Sequence, residues 1–280
     1  MKIVYKNNSM QEINLTSDTY MILADTDLID YEWSYKTRSI VNPRIYDFYR
    51  NMVPKKIKVA LRADSFENYE SALNKLLEVF ECDIYNRTPG KLYMNDKFYL
   101  SCYLIGKSVD EWKPKKKIQI FELSIVSENG KWIKVEHNNF NATISETYAA
   151  DSGMDYPYDY PYDFANGSVN KFLYNHNFVP CDFEMTIFGT CSNPVVSIGN
   201  ISYEVAADIA IGEYLKINTQ EKKIYKVKVD GEKVNLFHYR SRERVNFFEK
   251  IPPGKHVVLW NGSYTFDIDL LYERSEPVWI

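Results

Sequence analysis

Asp267 and Asp269 stand two residues apart in the strand-like run Ser263–Tyr272. Paired carboxylates can cleave a glycosidic bond when they face each other across a cleft and one holds its proton. In an extended strand, residues two apart share a face. Alternation therefore sets both carboxylates opposite Tyr264, Phe266, Ile268 and Leu270. Two neighbours on one solvent face do not straddle a substrate, so the pair reads as a solvated face. His137, His176, His238 and His256 show none of the spacings that bring two imidazoles to one metal. Each reads as a surface or loop histidine. Cys82, Cys102, Cys181 and Cys191 stand singly, without the spacing of a zinc knuckle. They read as four free, mostly buried thiols in a reducing compartment. Asp18, Asp25, Asp27, Asp30 and Asp151 do not assemble a calcium loop. The sequence has no serine-nucleophile elbow, Walker loop or dinucleotide fingerprint. The chain therefore reads as a non-enzyme without catalytic, metal or cofactor-binding residues.

What positions these residues is a mainly β chain. Its 280 residues can hold one large domain or two small ones, and 45% hydrophobic residues suffice for a core. The 23 tyrosines favour strands over helical bundles. A net charge of −4 gives no drive toward nucleic acid or membrane. There is no apolar run of transmembrane length, and the start, Met1–Lys6, lacks the apolar core of a signal peptide. The expectation is a protein made and folded in a cytoplasm.

Ile3–Lys6 and Glu12–Leu15 flank Asn7-Asn8-Ser9 as a short hairpin. Tyr20–Leu23 reads as a strand, as does Ile29–Thr37 with Tyr31, Trp33 and Tyr35 on one face. Ile40–Pro54 is aromatic but interrupted. In Lys55–Arg62, Ile57, Val59 and Leu61 point inward. Phe66, Tyr69, Leu73, Leu76, Leu77 and Phe80 recur at helical spacing and predict one helix near Phe66–Glu81. Asp64 could cap it, with Glu67 completing a capping box. Lys97–Ile105, Ile118–Val126 and the short Trp132–Val135 read as strands. Lys113-Pro114-Lys115-Lys116-Lys117 reads as a solvated loop tip, since no aromatic residues are interleaved for nucleic acid.

From Phe183 onward the pattern is all β. Phe183–Phe188, Pro194–Ile198, Ile201–Val205, Tyr214–Ile217, Lys222–Val229 and Val234–Phe237 read as short strands. Asp230-Gly231 marks a hairpin. Lys255–Trp260 and Ser263–Tyr272 around Asn261-Gly262 read as another. Short strands at this spacing predict a β-sandwich or jelly roll.

Between the halves lies Tyr-Pro-Tyr-Asp written twice and closed by Phe164. In extended form Tyr156, Tyr158, Tyr160, Tyr162 and Phe164 line one edge. Pro157 and Pro161 cannot donate ladder hydrogen bonds, which excludes a central strand. The seven residues Tyr156, Pro157, Tyr158, Tyr160, Pro161, Tyr162 and Phe164 are therefore expected to form a stiff strap that packs between domains.

This aromatic-proline run, followed by a small β domain, resembles the distal tail proteins of long-tailed phages of Gram-positive hosts. Asn193–Asn200, Ile211–Asn218 and Pro253-Gly254-Lys255-His256 follow in that family's order. The resemblance covers most of the chain. It implies a ring-forming β-sandwich with one helix over 1–145, the strap over 146–167, and a galectin-like or jelly-roll β-sandwich over 168–280. It implies a structural tail-tip protein of a phage or prophage, a homo-hexameric ring joining the tail tube protein to the tail-associated hub, fibre or baseplate. Partners of that kind exclude nucleic acid and membrane. Two features depart from the family. Ser127–Trp132 stands where an Asp-Pro-aromatic step is common, and there is no room for an extra sugar-binding insertion. The alternative is a carbohydrate-binding module using the C-terminal sandwich, which would need exposed aromatic rings arrayed as a platform.

Overall fold

Alternating apolar and polar residues lay down strands in both halves of the chain. The structure, a computed structural model, describes residues 1–39, 42–109, 117–142, 171–242 and 246–277. It is mostly β, with one α-helix among the described residues. Two compact units divide the chain: Met1–Lys134 with Glu273–Ile280, and Val135–Tyr272.

The first unit carries β1 (Ile3–Lys6), β2 (Glu12–Asn14), β3 (Tyr20–Thr26), β4 (Ser34–Arg38), β5 (Arg44–Tyr49) and β6 (Lys55–Arg62). Then come α1 (Phe66–Asn86), β7 (Gly90–Met94), β8 (Phe98–Ser108), β9 (Ile118–Val126) and the start of β10 (Trp132–Phe140). One run of paired strands goes β2-β1-β7-β8-β10 and another β3-β6-β9-β8, so β8 belongs to both. Phe98–Cys102 of β8 pairs with β7, and Tyr103–Ser108 pairs with β9. Ile105 is the unmatched residue between Leu104 and Gly106. Such a bulge bends a strand and raises its twist, letting one strand serve two sheets. The inward residues Ile57, Val59 and Leu61 of β6 are fully buried, as alternation requires.

The helix covers this core through Leu76, Val79 and Phe80, with Tyr69, Ala72 and Leu73 packed beside them. Phe66, counted on the apolar face from spacing, instead lies exposed and stacks on Tyr69. Two expectations about the ends are corrected. The N-cap is Ser65, not Asp64, because the Ser65 hydroxyl accepts from the Asn68 amide at 3.1 Å. The helix also runs past Glu81 to Asn86. Asp83 explains the extension: it is fully buried and accepts from the Tyr5 hydroxyl at 2.7 Å. The Asn8 amide donates to its other oxygen at 2.9 Å. A carboxylate on the buried face hides the continuing period from a hydrophobicity count. The helix stops where Arg87 turns left-handed at φ 52° and the Arg87 and Thr88 amides bond back to Ile84 and Asp83.

The second unit takes in the rest of β10, then β11 (Lys171–Asn175), β12 (Asp182–Phe188), β13 (Cys191–Ser192), β14 (Val195–Ile198) and β15 (Ile201–Glu204). It continues with β16 (Asp208–Ile209), β17 (Tyr214–Asn218), β18 (Lys223–Val227), β19 (Lys233–Asn235), β20 (Gly254–Leu259) and β21 (Phe266–Arg274). Two sheets, β19-β18-β17-β12-β21-β10 and β11-β20-β14-β15, hold the core between them. Phe183, Met185 and Ile187 face Phe266, Ile268 and Leu270 across the pair β12–β21, all fully buried.

Lys255–Trp260 and Ser263–Tyr272 do not form the expected hairpin. β20 pairs with β11 and β14, whereas β21 pairs with β12. The link Trp260–Thr265 crosses between sheets because both its rings are anchored in the core. The Trp260 indole donates to the Tyr264 carbonyl at 3.1 Å, and the Tyr264 hydroxyl donates to the Val195 carbonyl at 2.7 Å. β10, expected as four residues, spans nine. Its polar second half, Glu136-His137-Asn138-Asn139, disguises the strand. Asp230-Gly231 does turn a hairpin, with β18 paired to β19.

A candidate assembly surface and the polar sites beside it

Among the described residues β4 and β5 pair only with each other. Asn42-Pro43 stands just ahead of β5, where a proline at a strand edge gives up no ladder bond. Tyr35 lies opposite Phe48 on one face, and Lys36 opposite Asp47 on the other. Tyr46 is the unmatched residue between Ile45 and Asp47. Both faces are open: Tyr35, Tyr46 and Phe48 are 59%, 52% and 60% exposed. Apolar surface of this kind on a two-stranded arm marks a contact site rather than a free-standing element, since an isolated hairpin is marginally stable in water. Cations lie over its rings, Lys36 over Tyr49 at 5.1 Å and Arg38 over Tyr46 at 4.9 Å.

Arg50 fastens the base of the arm. Its guanidinium lies 5.0 Å from the Tyr31 ring centre and 5.2 Å from that of Trp33, and it donates to the Gly130 carbonyl. Nε and Nη2 are buried without a hydrogen-bond acceptor among the described residues, so the ring faces are their partners. Burial lowers the Arg50 pKa from its usual range. Beside it, the Lys55 ammonium donates to the carbonyls of Asp27, Leu28 and Asp30. Burial also lowers the Lys55 pKa, while Asp27 and Asp30 push it back up. Arg50, Lys55, Tyr31 and Glu32 line a cavity of about 320 Å³ at this point. Tyr31 and Trp33 precede β4 rather than lying in it, so they serve the base and not the blade. Sequence reasoning missed Arg50 and Lys55. The one available signal was a basic residue closing an aromatic stretch that failed to alternate.

On the second unit, Asp267 and Asp269 share the solvent face of β21, as alternation requires. His137 is a surface residue, as expected, and lies on β10. Its Nδ1 lies 2.6 Å from Asp269 and its Nε2 3.9 Å from Asp267. Asn139 donates to Asp267 at 2.6 Å. The hydrogen bond to Asp269 raises the His137 pKa, with partial burial acting the other way. The row continues across β12, where Glu184 pairs with Lys216. This is a network of surface charges satisfying one another.

All four cysteines are free; Cys102 and Cys181 are buried, Cys82 and Cys191 half-buried. Burial pushes the thiols of Cys102 and Cys181 up to about 12 and that of Cys191 up to about 11. A protonated thiol is a poor nucleophile and metal ligand. Among the described residues no group of three or more His, Cys, Asp or Glu could hold a metal ion. Nor is any helix there long and apolar enough to cross a membrane. Tyr156, Pro157, Tyr158, Tyr160, Pro161, Tyr162 and Phe164 lie outside the described residues, as does Lys113–Lys116.

No protein-family model matches the chain, and no curated protein matches it. Solved structures do. A chain of the phage P2 baseplate in its activated conformation with calcium aligns at a TM-score of 0.64 and 12% identity, covering 99% of both chains. The strontium form of that baseplate aligns at 0.64 and 11%, again over 99% of both. The SPP1 Dit protein, described as a paradigm of hub adsorption apparatus in Gram-positive-infecting phages, aligns at 0.57 and 8%, over 98% of both. At these identities the likeness is one of fold.

Proposed function

We propose that this chain is a structural protein of a phage or prophage tail tip. Copies of it close a ring, six by the resemblance, that joins the tail tube protein to the tail-associated hub, fibre or baseplate. The observation that carries the reading is the end-to-end fold likeness to a phage baseplate chain, with 99% of both chains aligned. The open aromatic arm of the first unit supports it, since an assembling subunit needs apolar surface that a lone chain leaves in water. The first unit is the ring-forming part in this reading, and the second a galectin-like sandwich. The polar groups support a structural role over a catalytic one. Asp267 and Asp269 are engaged with His137 and Asn139 on one flat strand face.

Carbohydrate binding by the second unit would rest on Phe172 and Tyr174, exposed neighbours on one face of β11. The Lys255 ammonium lies 3.5 Å from the Phe172 ring centre and 5.7 Å from that of Tyr174. A pyranose would have to displace it to stack, which argues against a sugar platform. Calorimetric titration is expected to find no saccharide binding tighter than about millimolar, roughly −4 kcal/mol. Negative-stain imaging with light scattering of the purified protein tests the ring. Closed rings of uniform size support the reading, and a monomer at every concentration overturns it.

A further inference from the structure

The β4–β5 arm and the outer face of α1 are complementary in charge and in length. Over Ser34–Tyr49 the arm carries Lys36, Arg38 and Arg44 against one acid, Asp47. On α1 the exposed carboxylates are Glu67, Glu70, Glu78 and Glu81. Steps of three, eight and three residues keep them on one helix face, away from the buried Leu76, Val79 and Phe80. From Glu67 to Glu81 that stripe runs about 21 Å at ~1.5 Å per residue. A strand of five or six residues runs about 17–20 Å. The exposed rings Phe66 and Tyr85 stand at the two ends of the stripe, matching the exposed rings of the arm.

We propose that the arm of one copy lies along the acidic face of α1 in the next copy. This rests on the ring reading above and names the two surfaces that would close it. The contact is heterologous, arm to helix, so each copy offers one of each and the chain of contacts closes at a fixed rotation. Oppositely charged surfaces also set register and speed the encounter. The bare arm fits this partner better than a membrane surface, because the chain itself supplies the acidic counterpart.

The test uses the full chain and three variants: Arg38→Glu with Arg44→Glu, Glu67→Lys with Glu70→Lys, and all four changes together. All four positions are exposed, and circular dichroism checks folding. Sedimentation at low and high salt reads self-association. Each double variant is expected to weaken it at least tenfold, and the fourfold variant, with both charges reversed, to regain most of it. High salt should weaken the wild type. If rings persist in both double variants, the arm–helix contact is overturned while the ring reading stands. If only the arm variant loses association, the arm meets a different surface and the proposal fails. A wild type that stays monomeric overturns both. Flotation of wild type with phosphatidylserine vesicles, lost on Arg38→Glu with Arg44→Glu, would replace the proposal with a membrane contact.

Discussion

The arm of the first unit and the ring cluster of the second use the same residue types to opposite ends. In the second unit Phe140 stacks on Phe266 at 4.8 Å, and Trp260 meets Phe266 edge-on at 5.1 Å, all three rings buried. In the arm, Tyr35 and Phe48 face water across one strand pair. Aromatic content alone does not separate them. The surroundings do. Phe266 sits in a strand paired on both sides, where Phe266, Ile268, Leu270 and Tyr272 are all buried, whereas among the described residues Phe48 has one strand neighbour. Rings in the first setting hold a core together; rings in the second stay in solvent.

Four measurements would sharpen or break that contrast. The largest effect is expected at Phe266→Ala, which empties a buried ring site and should cost about 3–5 kcal/mol in urea unfolding. A cost under about 1 kcal/mol would mean the cluster is not close-packed. Next is Asp83→Ala in the first unit. It removes the closest partner of the buried Tyr5 hydroxyl and the acceptor of the Asn8 amide, and should cost about 1–3 kcal/mol. Unchanged stability would show that water reaches them.

A smaller effect is expected at His137→Ala. The folded-state pKa of His137 is raised. Its stabilisation is therefore fully present below the free value of about 6.5 and fades as pH rises through the folded value. The pair is surface-exposed, so the loss should stay under about 1 kcal/mol and shrink with salt. A larger loss at pH 8.5 than at pH 5.5 would contradict the sign. The smallest effect belongs to Phe48→Ser. Unfolding of the single chain should move by no more than about 0.5 kcal/mol, while self-association weakens. If Phe48→Ser unfolds the chain, the arm is part of a core after all.

How legible this was in the sequence depends on the strand. β6 and β9 were readable to the residue, because Ile57, Val59 and Leu61 in one and Phe121, Leu123 and Ile125 in the other recur on one buried side, even though Ala60 of β6 is buried on the opposite side. β12 and the inner face of β21 were nearly so. β10 was half hidden, since Glu136–Asn139 bury little, and His137 and Asn139 bond to carboxylates instead. The helix end was missed because Asp83 is a buried acid, and period counting registers only apolar residues. The β20–β21 link misled because Asn261-Gly262 is a turn signal that says nothing about which sheet the next strand joins. The arm was invisible as a site. A hairpin open on both faces has no period to detect, and the clamp at Arg50 joins residues eighty positions apart.

The first unit is also interrupted along the chain. Lys131 is paired with Glu273 at 2.5 Å, and the two lie 142 residues apart, with the whole second unit written between them. On a ribosome adding about 5–20 residues each second, that separation is roughly 7–30 s of synthesis. The first unit must therefore wait, incomplete and with its arm already emerged, until the insert has been made. A copy still being translated is thus short of these contacts until Glu273 has emerged, so on the proposed reading ring closure falls to chains that have passed that point.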